Sequence, residues 1–205
     1  MVELITNISL SIMSAFKSDL SLGLHVREIA KRMGVNHTTI LPHLNLLEKK
    51  GFLKSRNVGK NREFSLNLQN NSLRELLLLA EKRLLLERIS KDLFLKELHS
   101  EICDAGIDAC IVIFGSYASD THTKASDLDL LCIGKMTENE KNLLKNIGRV
   151  YKRALHIVNL SRKGFRDASE KKAAMISEVA KNYLVLRNAE TFLDELWRRN
   201  EKRTI

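Results

Sequence analysis

The spacing of apolar residues changes near residue 109, and that change limits what this chain can fold into. Up to Ile102 the large aliphatic residues recur at three- and four-residue steps, as in amphipathic helices. From Cys110 they gather into runs, Cys110-Ile111-Val112-Ile113-Phe114, then Leu128 to Ile133, then Leu155 to Leu160, of the kind found in buried strands. Helical stretches are expected between and after these runs, at about 138–152, 162–181 and 189–200, with 182–187 a short extra strand or a helix end. The fold class is therefore α+β in two domains. The 205 residues are enough for two cores, and 44% hydrophobic content with a single Pro excludes a disordered tail.

The N-terminal third reads as three helices and a hairpin. Leu4, Ile5, Ile8, Ile12 and Phe16 outline the first helix, which should end near Ser18-Asp19. Val26, Ile29, Ala30 and Met33 outline the second, stopped by Gly34, and Asn36 can cap a third that runs through Ile40, Leu44 and Leu47 to Gly51. Pro42 lies inside that third helix, so a kink or a tightened first turn is expected. Residues 52–56 and 63–68 alternate as strands around the turn Val58-Gly59-Lys60-Asn61, giving a hairpin with a basic tip.

The segment Val26 to Val35, the tetrad His37-Thr38-Thr39-Ile40 and the stretch Leu44 to Leu53 together resemble a winged helix-turn-helix domain of the archaeal and bacterial transcription-factor type, over residues 1 to about 71. The resemblance implies double-stranded DNA as partner, with His37, Thr38, Thr39 and His43 near base edges and Lys54, Arg56, Lys60 and Arg62 on phosphates. Charge agrees with that expectation. Lys and Arg number 34 against 25 Asp and Glu, and residues 1–71 hold ten of the bases and five of the acids. Aromatic residues make up only 5%, which disfavours a surface that stacks unpaired bases.

Residues 72–107 form a leucine-dense helical connector with a possible break at Ile89 to Asp92. Leucines fall on more than one of its faces, which leads to the expectation of a homodimer. No apolar run approaches the roughly 20 residues of a membrane span, and Glu3 stands where a secretory signal has a base. Cys103, Cys110 and Cys132 are odd in number and lack metal-ligand spacing, so reduced thiols in the cytoplasm are expected, with Cys110 and Cys132 in the core.

Residues 108–205 carry the sharpest local signal. After the apolar run ending at Phe114, Gly115 lets the backbone turn tightly, and Ser116 sits where a following helix offers backbone amides to an anion. Asp127 and Asp129 are two apart on a strand, so both face one way while Leu128 and Leu130 face the core. Two carboxylates on one face suit Mg²⁺, which prefers oxygen ligands and keeps waters and phosphates in its shell.

Gly115-Ser116 followed by Ser126-Asp127-Leu128-Asp129 resembles the signature of the DNA polymerase β-type nucleotidyltransferase superfamily, in particular its minimal prokaryotic members. The resemblance implies a mixed sheet with flanking helices, a nucleoside triphosphate as ligand or substrate, Mg²⁺ on Asp127 and Asp129, and phosphates held at Gly115, Ser116 and Ser126. Two positions depart from the pattern. Ser119 and Asp120 stand where a basic residue and a Gly are usual, and 155–160, where a third family carboxylate belongs, holds no acid, leaving His156 or Asn159 in its place. The expected function is a DNA-binding regulator with a nucleotide-binding, catalytically degenerate domain. The alternatives are an active transferase acting on a protein or RNA hydroxyl, and a dimerisation scaffold.

Overall fold

In the computed structural model, which describes residues 5–123, 126–171 and 173–201, the chain divides into two compact units, 1–83 and 84–205. Leu4, the first residue of the expected opening helix, lies outside the described residues.

The first unit contains α1 (Asn7–Ala15), β1 (Gly23–His25), α2 (Val26–Met33), α3 (His37–Lys49), β2 (Leu53–Val58), β3 (Asn61–Leu66) and the start of α4 (Ser72–Ile89). Thr6 caps α1, accepting from the Ser9 amide. The helix ends one turn before Ser18, and three-residue backbone turns carry the chain on to Asp19. Gly34, with φ of 66°, closes α2 in the left-handed conformation. Asn36 caps α3 through its side chain, and Pro42 sits within the one unbroken helix; Thr39 N donates to Asn36 O, a tightened first turn. The three strands form an antiparallel sheet in the order β1-β3-β2. Ile12, Met13, Phe16, Leu24, Ile29, Ile40, Leu44, Leu47 and Phe64 are buried. β1 was not expected, because three residues are too short to show alternation.

The second unit runs from the end of α4 through α5 (Leu93–Asp104), β4 (Cys110–Phe114), α6 (Gly115–Ala118), β5 (Leu128–Ile133), α7 (Glu138–Val150), β6 (Leu155–Leu160), α8 (Arg162–Glu170), α9 (Ala174–Lys181), β7 (Leu184–Arg187) and α10 (Ala189–Glu201). The segment 72–107 is thus two helices, broken at 90–92, where Asp92 caps α5, and the division between the units falls inside α4. The helix expected over 162–181 is also two, separated between Glu170 and Ala174.

The sheet order is β6-β5-β4-β7, with β5 and β6 parallel and the other pairs antiparallel. A parallel pair needs a crossover, and α7 supplies it, opened by a capping box between Thr137 and Glu140. A Cβ at Gly148 would stand 2.6 Å from Arg153 O and collide with the Leu155 side chain, so β6 can begin here only against a glycine. Ile111, Ile113, Leu128, Leu130 and Cys132 pack with Leu95, Leu98, Ile102 and Leu144 in one core.

Candidate functional site

The C-terminal end of β4 and the start of β5 carry the site. Antiparallel pairing sets Phe114 opposite Asp129, and the chain then turns at Gly115. Its φ is 70°, and a Cβ there would lie 2.7 Å from Asp129 Oδ2, so glycine is required both for backbone conformation and for space. Ser116 follows, half-buried, in the one-turn helix α6. Thr121 N donates to Ser116 O at 3.0 Å, and the Ser119 hydroxyl donates to the carbonyls of Gly115 and Ser116. A single turn sums few peptide dipoles, so an anion here would be held by the amides of the turn itself.

Asp127 and Asp129 emerge on one side of β5, while Leu128 and Leu130 are fully buried. The parallel register pairs Asp129 with His156. His156 Nδ1 lies 3.5 Å from Asp129 Oδ1, and Nε2 lies 3.6 Å from Asp127 Oδ2. The imidazole therefore faces the carboxylates and solvent. Its side chain is 63% exposed, against 48% for Asp127 and 32% for Asp129. Asn159 is elsewhere: its amide donates to the carbonyls of Cys132 and Gly134.

Burial pushes the Asp129 carboxyl above its ordinary range; His156 opposes the shift, and the like charges of Glu178 and Asp127 add to it. Glu178 comes from α9 and was hidden in the sequence inside what reads as one long helix. Ser126 Oγ accepts from Thr123 N at 2.9 Å, so this hydroxyl closes the loop that delivers Asp127.

Among the described residues no group of three or more His, Cys, Asp or Glu side chains is arranged to cage a metal ion. The donor set is two carboxylates beside a turn rich in backbone groups. It fits a hard divalent ion that brings its own waters and phosphates, with Asp127 and Asp129 as its protein ligands.

The first unit presents a different polar surface. His37, Thr38 and Thr39 are exposed in the first turn of α3, with the Thr38 hydroxyl donating to Asn36 Oδ1, and His43 is half-buried further along. Of the hairpin bases, Lys60 is at the exposed tip, Lys54 donates to Gln69 Oε1 at 3.0 Å, and Arg56 pairs with Glu63 at 2.6 Å. Arg62 turns back onto the protein. It donates to Ser55 Oγ at 2.9 Å, to Asn45 Oδ1 at 2.8 Å and to Glu48, and lies 4.7 Å from the Phe64 ring centre. The hydrogen bond from Ser55, and then Arg62, hold the Glu48 carboxyl below its usual range against the opposing effect of burial.

No curated protein and no solved structure matches the chain. A family model described as a nucleotidyltransferase domain matches residues 95–187, a span that holds the Gly115-Ser116 turn, both aspartates and His156. From α5 through β7 the chain is a nucleotidyltransferase-like domain.

Proposed function

We propose that the chain is a DNA-binding regulator whose second unit holds a magnesium-nucleotide and transfers it slowly or not at all. The observation that carries this reading is the convergence of Asp127, Asp129 and the Gly115-Ser116 turn, with an imidazole and no acid on β6. The turn's amides would bind the phosphates, and the two carboxylates would hold the ion that neutralises them. The ion, when bound, supplies charge neutralisation and polarisation of the phosphoryl group. Transfer also requires the attacking hydroxyl to be held and its proton removed, and β6 contributes no carboxylate for that task.

The test is incubation with labelled nucleoside triphosphates and Mg²⁺, comparing the wild type with Asp127→Asn and Asp129→Asn. The expected outcome is aspartate-dependent binding with little label transferred. Efficient, Asp129-dependent labelling of a protein or RNA hydroxyl establishes the transferase instead, a second reading favoured by His156, which sets an imidazole beside both carboxylates. No binding at millimolar nucleotide favours the scaffold.

The regulator half of the proposal reads the first unit as a winged helix-turn-helix. Its support is the element order, the antiparallel hairpin, the exposed first turn of α3 and the excess of bases. Lys60, Lys54 and Arg56 are the phosphate contacts, and Arg62 is chiefly a brace. Exchanging the first three for Ala should weaken duplex binding uniformly and flatten its salt dependence. Unchanged affinity and slope would refute the hairpin's role.

We also read the chain as a cytoplasmic homodimer. Exposed Leu86 and Leu93 support the dimer, and sedimentation as a monomer at micromolar concentration rules it out. No helix among the described residues is long and apolar enough to cross a membrane.

A further inference from the structure

We propose that Arg153 is the positioning residue of the nucleotide site: one guanidinium ties the loop that delivers Ser126 and Asp127 to the turn that follows Gly115. This inference rests on the reading of Asp127 and Asp129 as that site.

Arg153 stands between α7 and β6, and its backbone is fixed before its side chain does anything. Its amide donates to Gly148 O at 2.8 Å, after Lys152 in the left-handed conformation. From there Nη1 reaches two carbonyls of the loop, Thr123 O at 3.2 Å and Ser126 O at 3.4 Å. The second belongs to the peptide that leads into Asp127.

The face of the guanidinium serves the other half of the site. Its central carbon lies 5.2 Å from the Tyr117 ring centre and 5.6 Å from that of Phe94. Tyr117 is the third residue of the Gly115-Ser116-Tyr117 turn and is buried, with its ring stacked on His122 at 3.9 Å. Arg88 holds the same turn from another direction, donating to Tyr117 O at 2.7 Å and pairing with Asp120 at 3.0 Å. A planar cation that stacks on rings while its edge donates to carbonyls joins the loop to the turn. Its donation to the Thr123 and Ser126 carbonyls makes the loop the path by which it acts on the site.

Groups that orient ligands without binding the ion themselves typically contribute roughly 10–100-fold in affinity. The experiment measures the affinity of the full chain for MnATP by calorimetry, in the wild type, Asp129→Asn, Arg153→Met and Arg153→Lys, with melting curves as a control on folding. Arg153→Met, which keeps the stem and loses every donor, should bind roughly 10–100-fold more weakly. Arg153→Lys, which keeps the cation and a donor for the same carbonyls but loses the planar face on the rings, should recover part of that loss, which a merely space-filling role would not produce. If the Met chain does not fold, Arg153→Gln takes its place in the comparison. Binding by the neutral variant within twofold of wild type, or Lys no better than the neutral variant, overturns the role of Arg153 alone. No binding by the wild type at millimolar MnATP, or unaltered binding by Asp129→Asn, overturns the nucleotide site and this inference with it.

Discussion

The two units use their charged side chains in opposite ways. In the first, Arg62 meets Ser55, Asn45 and Glu48 across the junction of α3 and the hairpin, and opposite charges satisfy one another. In the second, Asp127 and Asp129 stand side by side, the charge of Glu178 adds to theirs, and one imidazole faces both carboxylates. The carboxyls respond in opposite directions: Glu48 is held below its ordinary range and Asp129 is pushed above it. A group held low strengthens the fold; a group pushed high strains it at neutral pH. Burial first, and then the like charges of Glu178 and Asp127, produce the rise at Asp129.

The sharpest way to break this contrast is at Gly115. Gly115→Ala forces a left-handed alanine whose Cβ meets Asp129 Oδ2, with backbone strain of about 1–3 kcal/mol. We expect a lowered melting point for the second unit and loss of most MnATP affinity; a variant that melts and binds like wild type would show that the turn does not set the site.

Next comes the brace. Arg62→Ala should cost the first unit about 1–2 kcal/mol, allowing for a guanidinium that is partly exposed, as read by urea denaturation. Arg62→Lys should not restore it, because the planar fork is lost. By contrast, Lys60→Ala should leave stability unchanged and lower the salt slope of DNA binding by about 1.

The pH dependences sharpen the comparison further. For Glu48, with a lowered value, the stabilising contribution is present above the ordinary carboxylate range and is lost as pH falls through the lowered value. The penalty of Arg62→Ala should therefore shrink in acid. For Asp129, with a raised value, the favourable contribution is present below the ordinary range and is lost as pH rises through the raised value. Asp129→Asn should accordingly melt slightly higher than wild type at neutral pH, by roughly 1–2 °C, with the difference vanishing in acid. Equal melting at all pH would mean that the carboxylate is not strained.

The smallest effect concerns the thiols. Burial pushes Cys110 and Cys132 up to about 12, so native alkylation should label Cys103 alone. Mass spectrometry of the modified chain checks this.

Local rules explain what the sequence made legible. Gly115, Asp127 and Asp129 could be found because a left-handed turn and strand alternation are each decided within a few residues. The orientation of His156 could not, since it depends on the parallel register of β5 and β6, set across the whole of α7 and by the approach of Leu155 to Gly148. The inward turn of Arg62 was equally hidden: its partners lie seven, fourteen and seventeen residues away, and a base on a hairpin looks the same whether it faces solvent or the protein. The break between α8 and α9 has no Gly or Pro to announce it.

The pairing of Asp129 with His156 separates two kinds of position. On β6 the residue before it, Leu155, is buried in the core, while His156 itself is exposed on the edge strand. A substitution at 155 therefore meets the core, whereas one at 156 meets solvent and two carboxylates. Exchange at position 156 therefore alters the charge around Asp127 and Asp129 and leaves the packing of the core alone.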